Sequence, residues 1–279
     1  MVTQEQRRRQ LAREKFLRQQ QRRTSARRKA RARNAVIASV LGVVVVGSVV
    51  SYATGVFKQD DDDKSNAAAE ATPSASPSKA PDPCDKAAAG KVKKLSYKKE
   101  PALTVDESAD YMMKLQTTCG TIDIDMPASK APHTVNSFNF LAGKGYLDHT
   151  KCHRLTTNGI YVLQCGDPQG TGMGGPGYTI PDENLKDKRL KGGVYPAGTV
   201  AMANQYNAQT KEGRDTGGSQ FFLVYQDSQL PANYTPFGTI SDAGMKVLKK
   251  IAGAGESTGQ GDGTPNATVV IDKATVTKS

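Results

Sequence analysis

Between Ala35 and Phe57 the sequence "AVIASVLGVVVVGSVVSYATGVF" contains no charged residue. At a rise of about 1.5 Å per residue a helix of this length reaches roughly 34 Å, enough to cross the hydrocarbon core of a bilayer with some tilt. A cleaved secretory signal is the competing reading, with "SYA" at 51–53 as a passable cleavage site. The long charged region before the stretch and the length of the stretch itself favour an uncleaved anchor. The 38 Lys and Arg against 27 Asp and Glu give a net charge of +11, but residues 1–33 hold 13 of the former and 2 of the latter, which is 13 − 2 = +11. The rest of the chain therefore balances at 25 − 25 = 0, so a basic nucleic-acid-reading surface on the folded part has no compositional support. The arginine-rich side is expected to stay in the cytoplasm by the positive-inside rule, and everything beyond "KQDDDDK" is expected to lie outside the cell.

Residues 58–101 are rich in Ala, Ser, Pro and Lys and offer little to bury. They read as a flexible linker that cannot offset its ordering entropy. Residues 102–279 are long enough for one well-buried core. "YMMKLQTTCGTIDIDM" alternates on either side of Cys119-Gly120, which predicts an antiparallel hairpin. "KAPHTVNSFNFLAGKGY" predicts a helix that opens near Pro132 and buries Val135, Phe138 and Leu141. A second helix is predicted over "SDAGMKVLKKIAGAG", opened by Ser241 or Asp242. Short strand-like runs recur at "CHRLT", "IYVLQC", "GTVAMAN", "SQFFLVY" and "YTPFGTI", and "ATVVIDKATVTKS" ends the chain as strand. Many short strands with two helices predict a mainly β domain, a closed antiparallel barrel.

Two motifs tempt and fail. "GTGMGGPG" carries the Gly172-x-Gly174-x-x-Gly177 spacing of a dinucleotide loop, but Pro176 and Pro181 block the helix whose N-terminus would have to face the pyrophosphate. The glycines read instead as an irregular loop that needs positive φ. Cys152 beside His153 suggests a thiol and its base, or two metal ligands, but neighbours on a strand point to opposite faces, so no metal is expected. The four cysteines allow three connectivities. Cys152 and Cys165 flank two adjacent strand-like segments, which favours that pair and leaves Cys84 for Cys119. Ser219 in "GGSQF" lacks the elbow of a serine hydrolase. What remains is one cation, Arg154, among Tyr161, Gln164, Asn204, Gln220 and Phe222.

"CHRLTTNGIYVLQCGDPQGTGMGGPGY", "AGTVAMAN" and "GGSQFFLVY" followed by "LPANYTPFG" resemble, in order, the successive motifs of the cyclophilin-type peptidyl-prolyl cis–trans isomerases, here in a membrane-anchored bacterial form. The resemblance implies a cyclophilin-like barrel with two capping helices, isomerisation of X–Pro bonds in proline-containing polypeptides, and no cofactor. It places the catalytic arginine on Arg154 and the glutamine of the following segment on Gln164. It puts Tyr161 and Val162 where the animal enzymes have Phe and Met, and makes Ala203 and Asn204 the pair that holds substrate backbone. Gln220, Phe222, Leu230 and Tyr234 complete the implied substrate pocket, Phe222 as its floor and Tyr234 in the place of the family's usual histidine. Gln229 stands at the family's tryptophan position, so weak cyclosporin binding is expected. The loop "LTTNGI" between Arg154 and Tyr161 and the loop "QYNAQTKEGRDTGG" are both longer than usual.

Overall fold

The structure, a computed structural model, describes residues 81–207 and 209–279. The basic arm 1–34, the apolar stretch 35–57 and the first half of the linker lie outside the described residues. No helix among the described residues is long and apolar enough to cross a membrane.

The alternating hairpin forms β1 (Asp110–Thr117) and β2 (Gly120–Pro127), paired antiparallel from Asp110↔Pro127 to Thr117↔Gly120. Their inward residues, Met113, Leu115, Ile122, Ile124 and Met126, are buried in the barrel core. The other strands of the main sheet are β3 (Thr150–Lys151), β4 (Arg154–Thr156), β5 (Val162–Cys165), β7 (Thr199–Met202), β8 (Phe221–Val224), β10 (Pro236–Ile240), β11 (Asp262–Gly263) and β12 (Val270–Lys278). A separate ribbon pairs β6 (Val194–Tyr195) with β9 (Ser228–Gln229). The main sheet runs in the order β11-β4-β5-β8-β7-β10-β2-β1-β12-β3.

This differs from the closed barrel expected, in that the hydrogen-bonded ladder is a curled sheet with two ends. Its circuit is completed by the covalent chain, because β3 and β4 are successive pieces of one strand that changes partner at Cys152-His153. Cys152 N–H donates to Val269 C=O on the β12 side at 3.0 Å, and His153 N–H donates to Gln164 C=O on the β5 side at 3.0 Å.

Strands β7 and β8 are buried at every position, in keeping with runs that are apolar apart from Thr199. One face (Val200, Met202, Phe221, Leu223) joins the barrel core. The other (Ala201, Phe222, Val224) joins a smaller cluster with Val162, Leu190 and Tyr195, on which the site is built.

Helix α1 (Pro132–Gly143) packs on β12 and β2, with Val135, Phe138 and Leu141 buried. Its N-cap, Ala131, has no side-chain acceptor. Glu183, from a distant loop, supplies the acceptor instead: its carboxylate receives the N–H groups of His133 at 3.0 Å and Thr134 at 2.9 Å. A remote anion at a helix N-terminus satisfies open donors and complements the helix dipole. Replacing Glu183 with alanine is therefore expected to lower the unfolding free energy by about 1–2 kcal/mol. The urea midpoint measures this, and a loss no larger than that of the exposed Glu107→Ala control would show the cap to be inert. Helix α2 (Asp242–Gly253) is capped conventionally, Ser241 Oγ accepting the Gly244 N–H at 3.1 Å.

The linker reading fails for residues 81–101, which lie along the domain. Cys84 is disulfide-bonded to Cys119 in the β1–β2 turn, and Ala88 N–H donates to Asp272 at 2.9 Å. Tyr97 N–H donates to Pro176 C=O at 2.8 Å while its ring meets Phe140 edge-on at 4.9 Å. Composition could not show this, because a few anchors (Cys84, Leu95, Tyr97) suffice to hold a segment that is otherwise polar and exposed. The second disulfide joins Cys152 to Cys165 and leaves no free cysteine among the described residues.

Candidate active site

Strand register lines up the site before any side chain is considered. Arg154 lies opposite Gln164, Gln164 opposite Phe222, and Phe222 opposite Ala201, so one row crosses β4, β5, β8 and β7. Directly paired residues share a face, and period two adds Val162 beside Gln164 and Gln220 beside Phe222. A cavity of about 200 Å³ opens on this face, lined by Arg154, Ile160, Val162, Gln164, Ala203, Asn204, Phe222, Leu230 and Tyr234. A second cavity of about 560 Å³ shares Gln164, Ala203 and Asn204 with it and runs along Gly172 to Tyr178 and Gln220.

The guanidinium at the lip of the smaller cavity is held from two sides. Arg154 Nε and Nη2 each donate to the Asp262 carboxylate at 2.8 Å, a two-pronged pair, and Nη1 donates to Gln164 Oε1 at 3.3 Å. The second N–H on Nη1 and on Nη2 has no assigned partner among these contacts. Asp262 raises the Arg154 pKa against the opposing effect of burial, and Arg154 in turn lowers that of Asp262, so both stay charged. The network continues inward. Gln164 Nε2 donates to Gln220 Oε1 at 2.8 Å, and Gln220 Nε2 donates to Gly174 C=O at 2.8 Å. Gln164 and Gln220 are thus positioning groups that tie the arginine to the glycine-rich loop.

That loop is wound around a carboxylate of its own chain. Asp167, fully buried, accepts the N–H groups of Gln169 at 2.7 Å, Thr171 at 2.9 Å, Gly172 at 2.7 Å and Gly174 at 3.2 Å. A side chain at Gly174 would run into this carboxylate. The donors that a dinucleotide would need point inward and are taken.

Phe222 floors the cavity, with Tyr234 edge-on to it at 5.5 Å and Tyr195 behind at 6.2 Å. Tyr195 is buried, and its hydroxyl bridges the Tyr234 main chain, donating to C=O at 2.8 Å and accepting from N–H at 3.2 Å. His153, next to Arg154, has both ring nitrogens buried with no hydrogen-bond partner, and burial lowers its pKa. Its neighbour Cys152 is consumed in the disulfide, so no thiol–imidazole pair exists here. Among the described residues no group of three or more His, Cys, Asp or Glu could hold a metal ion.

The family sequence model described as cyclophilin type peptidyl-prolyl cis-trans isomerase/CLD matches residues 112–276, more than half of the chain. This chain belongs to that family. Among its relatives, the "Probable peptidyl-prolyl cis-trans isomerase B" of Mycobacterium leprae is 46% identical over 174 residues, 60% of this chain and 57% of that protein. The protein of the same name from Mycobacterium tuberculosis (strain H37Rv) is 44% identical over 173 residues, 59% of this chain and 54% of that one. The chain therefore spans little more than half the length of these relatives. The "Peptidyl-prolyl cis-trans isomerase B" of Bacillus subtilis is 36% identical over 132 residues, which cover 47% of this chain and 82% of that shorter protein.

Set against the cyclophilin expectation, the structure gathers Arg154, Val162, Gln164, Ala203, Asn204, Phe222, Leu230 and Tyr234 at one cavity. Gln220 lies in the adjoining one. Tyr161 is a correction. Its ring packs edge-on against Tyr225 at 5.9 Å, and Ile160 lines the cavity instead. The reason is strand alternation, which puts 160, 162 and 164 on one face and 161 and 163 on the other. Asn204 is a refinement, because it lines the cavity while its side-chain amide is already engaged, donating to Asn233 C=O at 2.7 Å and to Asp182 at 3.3 Å. Sequence reasoning missed Asp262, Ile160 and Tyr195. Ile160 was accessible from strand period, whereas nothing in "GQGDGTP" or "GGVYPAG" marks Asp262 or Tyr195 as site residues.

Proposed function

We propose that this cyclophilin accelerates cis–trans isomerisation of X–Pro bonds in polypeptides. The observation that carries the reading is a guanidinium held by Asp262 and Gln164 beside a cavity that Phe222, Val162, Leu230 and Ile160 line on its apolar side. An X–Pro bond resists rotation because amide resonance must be broken, a barrier of about 20 kcal/mol. As the amide twists, the proline nitrogen regains its lone pair. A free N–H of Arg154 donates to that nitrogen, an interaction absent from either planar isomer, so the gain falls on the transition state. Val162, Phe222, Leu230 and Ile160 hold the pyrrolidine ring, and the Ala203–Asn204 main chain holds the flanking backbone while the other end turns. No bond is made or cut, and no cofactor enters.

On this reading the domain lies on the outer face of a cell membrane and assists folding of exported proteins there, with residues 35–57 as a single-pass anchor and residues 1–34 in the cytoplasm. The uncharged stretch supports this, as do two disulfides, which persist in oxidising compartments. Gln229, without an indole, favours weak cyclosporin binding.

The test is the full chain in detergent with a Xaa-Pro tetrapeptide, followed by exchange NMR between the cis and trans signals. Faster exchange than in buffer supports an isomerase. Peptide binding without faster exchange would replace it with a non-catalytic proline-peptide module or chaperone.

A further inference from the structure

The Asn204 side chain belongs to a closed circuit that reaches beyond the cavity. Its Nδ2 donates to Asn233 C=O at 2.7 Å and to Asp182 Oδ1 at 3.3 Å, and its Oδ1 accepts the Tyr206 N–H at 3.2 Å. The other Asp182 oxygen accepts from Arg214 Nη1 at 3.3 Å, and Arg214 Nη2 donates to Asn233 Oδ1 at 2.6 Å. The guanidinium lies 3.9 Å over the Tyr206 ring. Asp182 is 8% exposed at its side chain, whereas Arg214 is 38% exposed and lines neither substrate cavity.

We propose that Arg214 is a positioning residue that locks Asn204 through Asp182 and Asn233, and so sets how tightly the peptide backbone docks on the Ala203–Asn204 edge. The inference rests on the isomerase reading. A nearly buried carboxylate is costly without a cation beside it. Without Arg214, Asp182 loses its ion pair, Asn233 loses a donor, and Tyr206 loses the plane stacked on it. The Asn204 side chain keeps its own partners, but Asp182 and Asn233 are no longer held in one place, so the Ala203–Asn204 edge becomes one that substrate must order on binding. Such an edge is used equally by the planar and the twisted amide, so its loss raises KM and leaves kcat alone.

The experiment compares wild type, Arg214→Ala and Arg214→Lys in the full chain, with the same tetrapeptide and with hydrogen exchange of the Asn204 side-chain amide. Ordering one side chain and its edge corresponds to a roughly three- to tenfold rise in KM for Arg214→Ala with kcat within about twofold. The Asn204 amide should exchange faster. Arg214→Lys keeps a charge for Asp182 but lacks the planar fork that also reaches Asn233, so it should fall between the two. Unchanged KM, or unchanged Asn204 exchange in a variant that remains folded, overturns the proposal. Should Arg214→Ala fail to fold, Arg214→Lys carries the same comparison. If the wild type binds peptide without accelerating exchange, the isomerase reading fails, and the present inference is judged on the dissociation constant and the Asn204 amide.

Discussion

Arg154→Ala is expected to lower kcat/KM for a Xaa-Pro peptide by roughly 100- to 1000-fold, the range seen when one transition-state hydrogen-bond donor is removed. The fold should survive. Arg154 and Asp262 are 39% and 56% exposed at their side chains, and ion pairs this open to water contribute little to stability. Arg154→Lys should recover little of the loss, because an ammonium cannot grip both Asp262 oxygens, meet Gln164 and still present a donor to the proline nitrogen. Asp262→Ala should cost less than Arg154→Ala, about tenfold, since Gln164 still holds Nη1 while the second anchor is gone. Because Arg154 lowers the Asp262 pKa, the pair stays intact from neutral pH down through the ordinary carboxylate range near pH 4. Activity limited by this pair should therefore be flat across about pH 5–8 and fall only in acid. An Arg154→Ala protein with wild-type kcat/KM would remove Arg154 from the mechanism altogether.

Strand alternation predicted β1 and β2, and the helix starts at Pro132 and Ser241 were visible because local rules alone place them. Elimination left Arg154 among Gln164 and Phe222, but their roles came only through resemblance and their alignment in one row only from the structure, since which strands lie side by side is a non-local fact. Three features stayed hidden for the same reason. Asp262 meets Arg154 across 108 residues of sequence. Glu183 caps a helix about 50 residues away. Arg214, read only as part of an overlong loop, closes a circuit through Asp182 and Asn233. Residues 81–101 failed in the opposite sense: their average composition describes a tether, and the few residues that pin them do not register in an average. Tyr161 shows where resemblance and physics part, because aligned motifs gave it the pocket and strand period gave that place to Ile160.

Asp167→Ala is expected to be the most destabilising single substitution in the site region, at roughly 3 kcal/mol or more, because it leaves four loop N–H groups without their acceptor. Asn at this position keeps the shape but loses the charge and turns an NH2 toward donors, so it should also destabilise, by a smaller amount. The effect carries a pH signature. Burial pushes the Asp167 pKa up, but the backbone donors outweigh it and the net shift is downward. A carboxyl whose folded pKa lies below its unfolded value, near 4, contributes its full stabilisation above that value and loses it as pH falls through the folded one. Urea melts of the wild type should therefore weaken below about pH 4, and Asp167→Asn should lose part of that slope. Activity should fall with the loop, since Gly174 receives Gln220, which holds Gln164 and through it Arg154. Were Asp167→Asn to melt like the wild type at every pH, the carboxylate would not be what holds the glycine-rich wall of the groove in place.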